Sequence, residues 1–151
     1  MTHRTVSFFL SGQPVGKQRA RFTKSGHAYT PSKTVDYEKR VKSAAWQAML
    51  VSTGKVLKPT DRRISLKITA FMEIPKSYSI SKTLQCQLGI IVPPRPDVDN
   101  IIKAVLDGCN GVIYVDDRQV WRVMGQKQYV DEDQEPCLKV RADWFEGDEI
   151  T

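Results

Sequence analysis

The sequence predicts an α+β fold: one domain with a mixed or mostly antiparallel sheet and two main helices. Two segments alternate apolar and polar residues over strand length, Ile64 to Ile74 and Leu138 to Trp144. Two others repeat apolar residues at helical spacing, one from near Thr34 and one from Asp99. The two kinds are interspersed, joined by hairpin-like turns rather than by a regular strand–helix alternation. A chain of 151 residues fits one domain that buries its own core. That domain is expected to span 1–151, with its core over about 6–144 and a fraying polar tail over 145–151.

Val6-Ser7-Phe8-Phe9-Leu10 reads as a first, largely buried strand. Met1 to Thr5 leads straight into it, with no secretory signal pattern. Turn chemistry follows at Ser11 to Gly16, then a basic arm at Lys17 to Lys24 and a turn at Ser25-Gly26. Tyr29-Thr30-Pro31 closes that segment. The first helix should begin near Thr34, with Asp36 and Glu38 in its first turn, where the helix dipole favours acids. Tyr37, Val41, Ala44, Ala45 and Ala48 share its apolar face, and Ser52-Thr53-Gly54 ends it. The strand from Ile64 to Ile74 comes next. Residues 76–93 read as a loop with a short helix through Leu84 and Leu88.

Pro96 biases Arg95 toward extended backbone, so the second helix should start after it, with Asp99 as N-cap. At ~100° per residue, Asp99, Asn100, Lys103 and Asp107 share one sector, opposite Ile101, Ile102, Val105 and Leu106. Asn110-Gly111 stops the helix. Val112 to Val115 reads as a short strand, Asp116-Asp117-Arg118 as a turn, and Gln119 to Met124 as another strand.

A net charge of +6 favours a polyanionic partner. No apolar run approaches the ~20 residues a membrane span needs, so no membrane association is expected. Cys86, Cys109 and Cys137 are odd in number and form no C-x-x-C, which points to reduced thiols and a cytoplasmic setting. His3 and His27 lie far from any cysteine pair, which argues against zinc. There is no glycine-rich phosphate loop and no nucleophile elbow, so no nucleotide cofactor is expected.

The chemistry concentrates in the run Arg95-Pro96-Asp97-Val98-Asp99-Asn100-Ile101-Ile102-Lys103-Ala104. Capping a helix needs one acid. A second acid two residues away adds repulsion unless a cation offsets it. A calcium loop is excluded, because Ile102 and Gly108 stand where that loop needs glycine and glutamate. Magnesium fits better, since it accepts one or two carboxylates plus waters and a substrate phosphate. Lys103 rises one turn after Asp99 on the same face. Such a lysine is ordinarily a solvated partner of the acid, but beside a metal-bound phosphate it can stabilise phosphoryl charge. Asp116 and Asp117 suit a turn. If they also serve a metal, neighbouring strand residues point to opposite faces, so one ligand is expected rather than two. The arm carries Lys17, Arg19, Arg21 and Lys24 with no acid among them, and suits phosphate contacts.

Together these residues resemble the RusA family of Holliday junction resolvases, endonucleases of bacteria and their phages. The likeness runs from Arg95-Pro96-Asp97-Val98-Asp99-Asn100 through Lys103-Ala104-Val105-Leu106-Asp107 to Asn110-Gly111-Val112-Ile113-Tyr114-Val115-Asp116-Asp117-Arg118-Gln119-Val120. Gly12-Gln13-Pro14-Val15-Gly16-Lys17-Gln18-Arg19-Ala20-Arg21 and Tyr29-Thr30-Pro31 are similar to the family's opening. The segment Leu84 to Ile91 departs from it in not being lysine-rich. The resemblance implies catalytic carboxylates and metal ligands at Asp97, Asp99 and Asp117, with Asp116 the lesser candidate, and an essential lysine at Lys103. It implies Mg²⁺, with Mn²⁺ as a substitute, and a homodimer with one site per subunit. The expected activity is resolution of four-way DNA junctions by paired nicks in recombination and repair, leaving a 5′-phosphate, with a prophage origin. Lys17, Arg19, Arg21, Lys24 and Arg118 would track phosphates. The rival readings are a non-catalytic junction- or DNA-binding protein and a metal-dependent hydrolase of small phosphoesters.

Overall fold

The computed structural model describes residues 2–54 and 58–147. In chain order its elements are β1 (Thr2–Ser11), β2 (Arg21–Phe22), β3 (Ala28–Tyr29), α1 (Ser32–Thr53), β4 (Ile64–Met72), α2 (Ile80–Gln87), α3 (Val98–Cys109), β5 (Val120–Tyr129) and β6 (Cys137–Glu146). The main sheet has the order β1-β6-β4-β5. β6 runs antiparallel to both β1 and β4, and β4 and β5 are parallel. The expected mixed, mostly antiparallel sheet is therefore what the chain builds. The parallel pair has a consequence for everything that follows. Parallel neighbours need a long crossover, and here that crossover carries α2 and α3.

The alternation in β4 and β6 has its expected cause. Ile64, Leu66, Ile68 and Ala70 of β4 and Leu138, Val140, Ala142 and Trp144 of β6 all point into one core. Tyr37, Val41, Ala45 and Met49 of α1 and Ile101, Ala104 and Val105 of α3 close over them. Each large side chain removed from water there is worth ~1.5–3 kcal/mol. Only one face of the sheet is covered in this way. β1 therefore alternates instead of being largely buried: Val6 and Phe8 are inside, while Phe9 is 66% exposed. Side-chain period two allows no other outcome for a strand covered on one side.

Several local expectations are corrected. α1 begins at Ser32, after Pro31, whose fixed φ suits a helix entrance. Asp36 and Glu38 thus lie beyond the first turn, which holds no acid. The helix does end on Gly54, a left-handed cap whose N–H donates to Leu50 O at 2.8 Å. The short helix expected within 76–93 exists as α2, capped by Ser79 Oγ accepting from Lys82 N, but it buries Cys86 and leaves Leu84 and Leu88 exposed. Val112 to Val115 is a turn and not a strand. Ile113 and Tyr114 are fully buried there, and the segment is stapled by Thr60 N–H to Ile113 O (2.9 Å) and Val115 N–H to Thr60 O (3.2 Å). Phe145 and Glu146 complete β6 rather than fray, with Arg4 Nε donating to Glu146 Oε2 at 2.9 Å; 148–151 lie outside the described residues. Cys86, Cys109 and Cys137 are all free thiols, and burial pushes Cys109 up to about 12, so it stays protonated and inert.

α3 sits tightly between α1 and β5. A Cβ at Gly108 would stand 2.6 Å from Val41 Cγ1 and 3.2 Å from Glu38 O. A Cβ at Gly125 of β5 would stand 2.6 Å from Ile102 Cδ1. Gly108→Ala should force α1 and α3 apart and cost ~1–3 kcal/mol of overpacking. Urea unfolding checks this: an unchanged midpoint would mean that the helix pair absorbs a methyl without moving.

Candidate active site

The entrance of α3 differs from expectation by one step. Asp97, not Asp99, is the N-cap residue, and Asp99 lies in the first turn. Asp97 O accepts from Asn100 N (3.1 Å) and Ile101 N (3.2 Å), but its carboxylate makes no capping bond. Both carboxylates are exposed, and neither forms an ion pair among the described residues. The positive end of the helix favours them there. Lys103 is also exposed and forms no ion pair with Asp99 among the described residues. Two acids at the helix entrance and an amine one turn further on therefore stand with their charges unspent.

The basic arm reaches this entrance because Gly16 lets it. A Cβ at Gly16 would lie 2.7 Å from Pro96 Cβ and 3.1 Å from Asn100 Cβ. In its absence, Lys17 N–H donates to Asn100 O (2.9 Å) and Gln18 N–H to Thr34 Oγ1 (3.1 Å). The arm is thus sewn to α3 on one side and α1 on the other. Lys17 then departs from the expected phosphate-contacting role. Its ammonium turns inward to the Asp107 carboxylate and lies 3.4 Å from Glu38 Oε1. The hydrogen bond to Asp107 outweighs burial and raises the Lys17 pKa. Arg19, Arg21 and Lys24 do remain exposed, the last in the turn joining β2 to β3.

Arm and helix entrance line one open cleft of about 760 Å³, where Arg19, Arg21, Lys33 and Arg95 surround Asp97 and Asn100. Lys33, on the first turn of α1, was not among the expected residues. Neither was Lys127 of β5, whose Nζ donates to Pro96 O at 3.0 Å and so fixes the peptide just ahead of Asp97. Pattern alone could not have found either, because the crossover and the arm bring them in from distant parts of the chain. Asp107 was placed on the polar face of α3, but its role as partner of Lys17 is visible only in three dimensions.

Asp116 and Asp117 fall on a 3₁₀ turn, Asp117–Gln119, just before β5. Asp116 Oδ1 accepts from Arg118 N (3.0 Å), and Asp116 N–H donates to Gln119 Oε1 (2.8 Å), a reciprocal capping box. The Arg118 N–H holds the Asp116 carboxyl below its usual range. Gln119 Nε2 donates to both Thr60 O and Arg62 O at 2.8 Å, which anchors the turn. Asp116 therefore has a local structural task, and Asp117 is left exposed. Arg118 is exposed too, 3.8 Å from Asp116 Oδ1. The turn is tied toward α3 through Tyr114, whose hydroxyl donates to Leu106 O at 2.6 Å. Burial raises the Tyr114 pKa, and the carboxylates of Asp117 and Asp107 add to it. Asp117 thus lies within electrostatic reach of the Leu106–Asp107 end of α3, while Asp97 and Asp99 stand at the other end. Among the described residues no three His, Cys, Asp or Glu side chains converge to hold a metal. Asp97 and Asp99 are exposed oxygen donors of the kind magnesium takes, but of Asp97, Asp99, Lys103 and Asp117 the cleft lining includes Asp97 alone.

A family model described as "Endodeoxyribonuclease RusA" matches residues 11–141. The chain is also 32% identical over 135 residues to the uncharacterized protein YqaN of Bacillus subtilis (strain 168), a match that covers 84% of this chain and 89% of that one.

Two outcomes follow from the joint between arm and helix. Lys17→Met should destabilise the fold by ~1–2 kcal/mol at neutral pH, less than a fully buried pair would lose because solvent reaches about a third of each side chain. Folding raises the Lys17 pKa above 10.5, so this contribution is complete below pH 10.5 and fades as pH climbs through the folded value. Urea curves for both proteins should show a constant gap up to about pH 10 that narrows above it. Gly16→Ala should part the arm from Pro96, and hydrogen exchange should then speed up at the Lys17 amide. Protection equal to the parent's would show that the joint tolerates the methyl.

Proposed function

Because the chain belongs to the RusA endodeoxyribonuclease family, we propose that it is a magnesium-dependent, structure-selective endonuclease that resolves four-way DNA junctions by paired symmetric nicks, in recombination and repair. The observation that supports this best is the cleft in which Asp97 stands among Arg19, Arg21, Lys33 and Arg95. Cations that line a cleft around a carboxylate suit a polyanion that must meet a metal. A small phosphoester would need neither the length of the arm nor its exposed arginines. A pure binder would gain nothing from acids placed beside phosphates.

In this reading the chain grips before it cuts. Arg19, Arg21 and Lys24 of the arm and Arg118 of the 3₁₀ turn hold phosphates on either side of the scissile one, which makes binding steeply salt-dependent. Lys17 supports the grip indirectly, by holding the arm against α3 through Asp107. Asp97 and Asp99 would ligate Mg²⁺, or Mn²⁺ in its place, with Asp117 as the third ligand. Bound there, the metal supplies a Lewis acid and a water acidified toward neutral pH. Lys103 presents its ammonium to charge developing on the phosphoryl or leaving oxygen. Lys127 keeps the Pro96 carbonyl, and with it the approach to Asp97, in one place. Hydrolysis leaves a 5′-phosphate and a 3′-hydroxyl. A homodimer supplies the two equivalent sites that paired nicks require. The protein would act in the cytoplasm, and a prophage origin fits this family.

A synthetic four-way junction tests the reading. Nicking should require Mg²⁺ and vanish in EDTA. Asp97→Asn and Asp117→Asn should each lower the nicking rate by ~10²-fold or more while junction binding survives. Equal loss of binding and cleavage in a folded Asp97→Asn protein would remove the metal-site assignment. Full activity in Asp117→Asn would remove the third ligand.

A further inference from the structure

Among the described residues no element covers the face of the sheet turned away from α1 and α3, and its charges are placed in an unusual way. Lys67 of β4 lies directly opposite Arg141 of β6, and Lys139 of β6 lies directly opposite Phe9 of β1. Like charges facing each other across a strand pair are unfavourable unless something offsets them. Nearby, Asp143 offers one carboxylate, and it is already engaged by Thr5 Oγ1 (2.7 Å), Arg141 Nε (3.0 Å) and His3 Nε2 (3.1 Å). Lys67 and Lys139 have no carboxylate partner among the described residues, and Lys139 Nζ rests 5.2 Å from the centre of the Phe71 ring. Phe9, 66% exposed, stands beside this cation group, and the two line a shallow depression of about 410 Å³ with Ser7 and Thr69.

We propose that this open face is a second nucleic-acid surface, which takes single-stranded DNA: Lys67, Lys139 and Arg141 meet its phosphates and Phe9 stacks on an unpaired base. The charges favour a polyanion over a second copy of the chain. Two such faces brought together would set uncompensated lysines against each other. The ring decides between single strand and duplex. Duplex backbone offers it nothing to stack on, whereas every unpaired base has a π-face. A four-stranded sheet with helices behind it and an aromatic ring on its bare face is a known way to present such a platform. The strand held here is not the strand at Asp97, because the two surfaces lie on opposite sides of the sheet. The inference therefore needs neither metal nor cleavage and stands apart from the chemistry assigned to the cleft.

The experiment is fluorescence anisotropy of a labelled short oligothymidylate with the full chain in EDTA. Phe9→Ala, and Phe9→Leu as a second variant that keeps an apolar side chain without a ring, should each weaken binding about tenfold. Lys67→Gln with Lys139→Gln should lower the slope of log affinity against log salt by about 1.4, two single-strand phosphate contacts. Arg141 is left in place so that Asp143 keeps its partner, and thermal unfolding confirms that each variant is folded. Lys67→Gln with Lys139→Gln should still nick a four-way junction at the parent's rate, which separates this surface from the cleft. Unchanged affinity and slope would overturn the proposal. So would equal loss of blunt-duplex binding, or a change of oligomeric state on sedimentation, which would mark the face as a self-interface.

Discussion

At Gly108 and at Gly125 a single added carbon would stand 2.6 Å from a side chain of the neighbouring element. α3 is thus held between α1 and β5 at a spacing that only two missing side chains permit. The site depends on that spacing, because α3 carries Asp99, Lys103 and Asp107 and begins beside Asp97. Close-packed interiors transmit small displacements. A shift of this one helix would move the acids, the amine and the anchor of Lys17 together.

The third close approach, at Gly16, adds the arm to the same assembly. It explains how a basic chain avoids losing its loops to self-repulsion. One cation, Lys17, turns inward to Asp107 and Glu38 as a fastener, and that frees Arg19 and Arg21 to remain in solvent. Asp116 and Asp117 divide their work in the same manner. One carboxylate caps the 3₁₀ turn and the other is exposed, so the local structure is satisfied without using the group that chemistry would need. Holding a functional side chain by way of a neighbour costs the site nothing in reactivity, since the held group is not the reacting one.

The sheet shows the same economy on a larger scale. Its helix-covered face is apolar over β4 and β6, and its bare face is basic, with aromatic rings at Phe9 and Phe71. Strand alternation produces this separation, because successive side chains point to opposite sides. The chain can therefore present cations on both sides of the sheet, around Asp97 on one and across the strands on the other.

Much of this was legible without coordinates. The apolar alternation of Ile64 to Met72 and of Leu138 to Trp144, the helical face of Tyr37, Val41 and Ala45, and the polar sector of Asp99, Lys103 and Asp107 all follow from local periodicity. Local periodicity survives folding, since it reflects which side of an element meets the core. The acid run beside a lysine, and the basic arm, were visible as chemistry for the same reason: they are short and contiguous. What the chain alone could not settle is whatever depends on distant segments meeting. The parallel pairing of β4 with β5 makes the segment between them a crossover, and it carried Lys127 to Pro96. Thr60 captured Val112 to Val115 as a turn that buries Ile113 and Tyr114, where a short strand was expected. Gly16 and Asp107 made Lys17 a structural cation, although its neighbours in sequence marked it for phosphate. Sequence by itself determined the types of residue and the faces they would occupy. Tertiary structure alone decided which charges neutralise one another and which are left for a partner, because that depends on packing across the chain and not along it.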